Sequence, residues 1–208
     1  MSQTIGRLKK DEKIEIGKGE IKMDSFRTKA DLAMKELNEV FTLMDDSYVR
    51  ELVEAVKKYD RIFTIGAGRE GLATKAFAMR LTHMGKTSHW IWDDTTPALG
   101  KGDLLIAACG PGHIDTIDQV VRYAKGHGAA IATVSASESG YSWDEADIKV
   151  KLPAAAYRAE GEFIMTKQPM GNLFEQAMFI LYDLVVMMAS EELGIKHEEM
   201  VARHRNIE

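Results

Sequence analysis

Apolar positions between residues 24 and 43 (Phe26, Ala30, Ala33, Met34, Leu37, Val40 and Phe41) recur at helical spacing, and Asp24 stands where an N-cap is wanted. A second amphipathic face, Val49, Leu52, Val53 and Val56, predicts a helix over residues 47–58. The rhythm then changes. Short β-branched or apolar runs at 61–65 (RIFTI), 87–92 (TSHWIW), 103–108 (DLLIAA), 129–135 (AAIATVS) and 148–152 (IKVKL) predict five strands. Helical stretches at 72–84 and 115–127 fall between them, and helices at about 170–193 and 197–203 close the chain. Strands alternating with helices of this length predict an α/β fold with a mostly parallel sheet covered on both faces.

The first 22 residues are aperiodic and mixed in charge, and predict a tail or an arm lying on another subunit. Residues 23–208 show no linker or internal repeat and predict a single domain. The run MFILYDLVVMMA at 178–189 is too short for a bilayer and carries Asp183, which predicts a helix buried in a core or a subunit interface. The 208 residues are 45% hydrophobic and 28% charged, with a net charge of −5, so neither a nucleic-acid nor an anionic-membrane partner is expected. One Cys and the lack of a signal-type apolar core in the first residues point to a reducing, cytoplasmic setting.

In open parallel sheets, ligands bind at the carboxyl ends of the strands. That edge should carry three loops: GAGREG (66–71), WDDTTP (92–97) and CGPGH (109–113). Gly66 and Gly68 let backbone N–H groups approach an anion at a helix start, and Arg69 adds a bidentate fork. Gly110 and Gly112 form a second such turn. Two anion-cradling turns suit a small phosphorylated ligand. Asp93 or Asp94, about twenty residues after Gly71, keeps a nicotinamide-dependent oxidoreductase open as a rival reading.

Residues 66–85 (GAGREGLATKAFAMRLTHMG), 95–107 (TTPALGKGDLLIA), 169–183 (PMGNLFEQAMFILYD) and the final RHRNIE carry a more specific likeness. On them the chain resembles the sugar isomerase (SIS) domain family, most of all its 6-phospho-3-hexuloisomerases, over residues 24–208. The resemblance implies a three-layer αβα sandwich with a flavodoxin-like five-stranded sheet, assembled as a tetramer with sites at subunit interfaces. It implies ketose chemistry on a sugar phosphate, through an enediolate and without a cofactor. Glu175 then matches the acid–base carboxylate, and His204 a histidine given to a neighbouring subunit's site. Gly66, Gly68, Arg69, Thr95, Thr96, Gly110, Gly112 and His113 are the expected ligand-binding residues.

The chain also departs from that pattern. The family's Ser-Gly-Ser-Gly-Glu-Thr phosphate loop is replaced by Cys109-Gly110-Pro111-Gly112-His113-Ile114. Glu70 stands where the family usually has a serine, and its charge repels a bound phosphate unless it turns away or pairs with Arg69. The glycines, Thr95, Thr96, Arg69, Arg158 and Lys167 remain to hold phosphate; otherwise the substrate is an unphosphorylated or acidic sugar, or the protein is a non-catalytic sugar-binding module. His113 and Asp115, with His83, His89, Asp93 and Asp94, do not have the spacing of a metal site, so no metal is assigned and His113 is expected to hydrogen-bond. Cys109 reads as a buried structural thiol rather than a nucleophile, and the Met and Trp residues as core or interface packing.

Overall fold

The computed structural model describes residues 25–207. The elements run α1 (Phe26–Leu43), α2 (Asp46–Lys58), β1 (Arg61–Gly66), α3 (Gly68–Met84), β2 (Thr87–Trp90), β3 (Leu104–Ala108), α4 (Asp115–Gly126), β4 (Ala130–Ser135), α5 (Tyr141–Asp144), β5 (Ile148–Lys151), α6 (Asn172–Leu193) and α7 (His197–Ala202). All strand pairs are parallel and the order is β2-β1-β3-β4-β5. The expected tail of residues 1–22 lies outside the described residues, as does the cap candidate Asp24. The cap of α1 is Ser25, whose Oγ accepts the Thr28 N–H at 3.2 Å.

Alternation along the strands builds two cores. Ile62, Leu104, Ile106, Ala132 and Val134 face α1, α2, α3 and α6, and Phe63, Leu105, Ala107 and Ile131 face α4. Both faces of the central strands are therefore apolar, as a doubly covered parallel sheet requires. This is the three-layer αβα sandwich. Between β1 and β3 the connections diverge, one to β2 and the other onward to β4, which makes the β1/β3 carboxyl edge the topological switch point.

Helix α6 is long and apolar enough by composition to cross a membrane, yet Leu173, Phe174, Ala177, Met178, Leu181, Tyr182 and Val185 are buried on the first core. It runs parallel to α3, with Tyr182 stacked on Phe77 at a centroid distance of 4.3 Å. Burial within the protomer is one-sided: Phe179, Ile180, Leu184 and Met187 form an exposed stripe. Of the boundaries that differ from expectation, three have a clear local cause. α3 begins at Gly68, so the glycine turn itself is the helix's first turn. β2 stops at Trp90, where the chain turns through a hydrogen bond from Asp93 N–H to Trp90 O. α6 starts at Asn172 because Met170 and Gly171 take successive left-handed conformations, with φ 57° and 81°.

Candidate active site

Above the switch point lies a cleft of about 930 Å³. Its floor is the β1–α3 turn (Ala67, Gly68, Arg69, Glu70) and the β3–α4 turn (Pro111, His113, Ile114). Ser137 and Ser139 after β4 form one wall, and Tyr157, Arg158, Glu160, Met170 and Glu175 the other. The first turns of α3, α4 and α6 all meet here, so three positive helix ends point at one volume.

Glu175 sits in the first turn of α6 with its side chain 13% exposed, and accepts a hydrogen bond from Arg69 Nε in the first turn of α3. The parallel packing of the two helices makes this pair. Glu70 does not pair with Arg69, which is taken by Glu175, and its side chain turns inward. Its side chain is buried and Oε2 accepts the Gly110 N–H at 2.9 Å. Desolvation pushes its pKa up to about 7 against the opposing Gly110 hydrogen bond, and the Glu175 charge pushes it further the same way. The close approach needs a glycine: a Cβ on residue 110 would lie 2.5 Å from Glu70 Oε1 and 2.8 Å from Ala156 Cβ.

The other expected residues divide. Gly68, Arg69 and His113 line the cleft, whereas Gly66, Gly110 and Gly112 shape the turns beneath it without lining it. Gly66 is a packing residue, since a Cβ there would meet the Gly71 backbone at 2.9 Å. Thr95 and Thr96 lie on the β2–β3 connection outside the cleft, and the Thr96 hydroxyl donates to Trp90 O at 2.6 Å. His204 lies just after α7, its ring 5.0 Å from that of His83 at the opposite end of α3. The 17 residues of α3 span about 25 Å, so His204 is far from the cleft of its own protomer.

His113 hydrogen-bonds through Nδ1 to buried Asp118, which also accepts the Ser142 hydroxyl, and its Nε2 lies 3.4 Å from Asp115. Among the described residues no group of three His, Cys, Asp or Glu side chains is arranged to hold a metal ion. Cys109 is fully buried, and burial pushes its thiol up, away from a nucleophilic thiolate. Asp93 lies 3.5 Å from Lys75 Nζ on the β2 side, apart from the cleft.

The sequence alone did not reveal several residues of the cleft. Ser135 ends β4, and Ser137 and Ser139 follow it at alternate positions. Ser135 Oγ lies 3.1 Å from Gly110 O and accepts the Ser137 N–H, which ties the wall to the floor. The alternating serines of VSASESG were the available signal. Met170, expected as packing, lines the cleft instead, as does Arg158, and these are the two non-glycine residues with positive φ among the described residues. Lys167 lies outside the cleft. Its N–H donates to Glu36, a buried α1 carboxylate that also accepts from Thr166 and Gln168.

No protein-family model matches the chain. It is 34% identical to a 3-hexulose-6-phosphate isomerase of Mycobacterium gastri over 185 residues, 89% of this chain and 92% of that protein. It is 32% identical to a 3-hexulose-6-phosphate isomerase of Bacillus subtilis, over 84% of this chain and 95% of that one. A crystal structure of a hypothetical Methanococcus jannaschii protein, described as inferring a 3-hexulose-6-phosphate isomerase function, superimposes with a TM-score of 0.74. It is 28% identical and covers 86% of this chain and 99% of its own. With near-complete coverage of relatives at this identity, and with the same sandwich in that solved structure, the chain belongs to the 3-hexulose-6-phosphate isomerase family of sugar isomerases.

Proposed function

We propose that the protein is a cytoplasmic sugar-phosphate isomerase that interconverts 3-hexulose 6-phosphate and fructose 6-phosphate. The reaction moves a carbonyl from C3 to C2. A base removes the C2 proton, the C–H electrons form a C2–C3 double bond, and O3 takes a proton to give the cis-enediol(ate). Loss of the O2 proton and return of a proton to C3 complete the step. Electrons balance within the sugar, so the scheme calls for no redox cofactor.

One observation carries this reading: a largely buried carboxylate, Glu175, positioned by Arg69 at the mouth of a cleft built on two glycine turns. A single carboxylate over two adjacent carbons can take and return the proton. Arg69, Arg158 and the helix ends supply positive potential for an anionic sugar, and Ser137, Ser139 and Thr116 supply hydroxyls. In this reading His204 serves a neighbouring subunit's cleft, and the working form is a tetramer. The distance of His204 from its own cleft and the exposed apolar stripe of α6 support that assembly.

The test is Glu175→Gln. We expect isomerisation to fall by a factor of about 10² to 10⁴ and exchange of the C2 proton with solvent deuterium to stop, while the folded structure is kept. Unchanged exchange removes Glu175 from the mechanism. A second reading, an unphosphorylated or otherwise less anionic sugar, is favoured by the four carboxylates in the lining, Glu70, Asp115, Glu160 and Glu175. Turnover of free hexuloses but not their 6-phosphates would establish it.

A further inference from the structure

The glycine turn after β3 already holds a carboxyl group, and that group belongs to the protein. The Glu70 carboxylate takes the Gly110 N–H at the base of the cleft, and no cation among the described residues forms an ion pair with it. The nearest candidate on its own helix, Arg69, is engaged by Glu175. The groups that act on Glu70 or are acted on by it are Glu175, held by Arg69, with Tyr182 of α6 and Cys109 just after β3, while His113 and Asp115 line the cleft on the α4 side. Arg158 and Glu160 line the same cleft from the segment before α6. With Glu70 ionised, four carboxylates, Glu70, Asp115, Glu160 and Glu175, share the cleft lining with two arginines, Arg69 and Arg158.

From this arrangement we propose that Glu70 is a specificity-determining residue that links anion binding to protonation: the cleft admits a phosphate-bearing sugar only with the Glu70 carboxyl protonated, and rejects it when ionised. The physics is that of two like charges in a poorly solvated volume. Glu175, one charge already held by Arg69, raises the affinity of Glu70 for its proton. A dianion brought into the same cleft does so more strongly, so binding must draw a proton from solvent. By linkage, that proton uptake weakens anion binding as pH rises past about 7, where free Glu70 loses its proton. The phosphosugar part of this inference rests on the function proposed above, whereas the anion linkage does not.

The test uses inorganic sulfate, whose charge is constant across the range, and follows its protection of the folded protein against heat. For the native chain the apparent Kd should rise tenfold or more between pH 6 and pH 8.5. Calorimetry in two buffers of different ionisation enthalpy should show uptake approaching one proton per sulfate at pH 8. Glu70→Gln keeps an acceptor for the Gly110 N–H without a titrating charge, and its sulfate affinity should vary less than about twofold over the same range. The same pH slope in Glu70→Gln assigns the linkage to another group, such as His113, and overturns the proposal; so does a flat response or no sulfate binding at pH 6 in the native chain. If Glu70→Gln does not fold, Glu70→Ser, which also removes the titrating carboxyl, takes its place with the same expected and overturning results. Failure to turn over any hexulose 6-phosphate sinks the proposed function and leaves the sulfate result standing.

Discussion

Burial holds the Glu70 pKa at about 7, against 4.5 for an unconstrained glutamate. Below pH 4.5 the group is protonated in both the folded and unfolded chain and costs nothing. Between 4.5 and 7 the unfolded chain releases the proton and the folded one retains it, so stability falls as pH rises; above 7 the loss is complete, at about 3 kcal/mol. Glu70→Gln should therefore match the native chain in urea unfolding at pH 4.5 and exceed it by about 1–3 kcal/mol at pH 8. Equal stability of the two at pH 8 would show that the carboxyl carries no burial cost. The sequence exposed the identity of Glu70 and its conflict with phosphate, but not its direction. A glutamate in a helix's first turn normally faces solvent and the dipole. Here the missing side chain at Gly110, 40 residues away, opens the space it enters.

Among the elements, the strands and most helices were legible because each has one strong local signal: β-branched runs for β1 and β4, a short apolar run for β3, and 3.6-residue periodicity for α1, α2 and α4. α5, only four residues long, has no periodicity to read. The segment from β5 to α6 also lacks a pattern, yet it supplies Tyr157, Arg158, Glu160 and Met170 to the cleft. Its shape comes from long-range ties. One is the parallel bridge of Ala154 with Ile164, and another is Glu36, which gathers Thr166 Oγ1, Lys167 N–H and Gln168 Nε2 at 2.7, 3.1 and 2.9 Å. Burial works against the ionised form of Glu36, but the hydrogen bonds from Gln168, Thr166 and Lys167 outweigh it and hold the pKa below the usual value. Its stabilisation is thus present at neutral pH and lost as pH falls, the opposite sign to Glu70. Glu36→Ala should cost about 1–3 kcal/mol at pH 7 and speed proteolytic cleavage within residues 157–170. Unaltered cleavage would mean that the segment is held by its own contacts.

At the scale of the molecule, the same helix that forms the core also leaves Phe179, Ile180, Leu184 and Met187 open to solvent, with Met79 and Leu72 exposed on neighbouring α3. This exposed apolar surface and a cleft that lacks His204 are what support the proposed assembly, in which another copy completes the site. That assembly makes a prediction independent of any interface geometry. Glu175→Gln and His204→Ala homomers should each be nearly inactive. Dissociated, mixed in equal amounts and reassembled, they should regain about a quarter of native activity, because random pairing of two contributing subunits leaves one site in four with both native residues. A site formed within one chain gives no such recovery, since every cleft in the mixture would carry one defect.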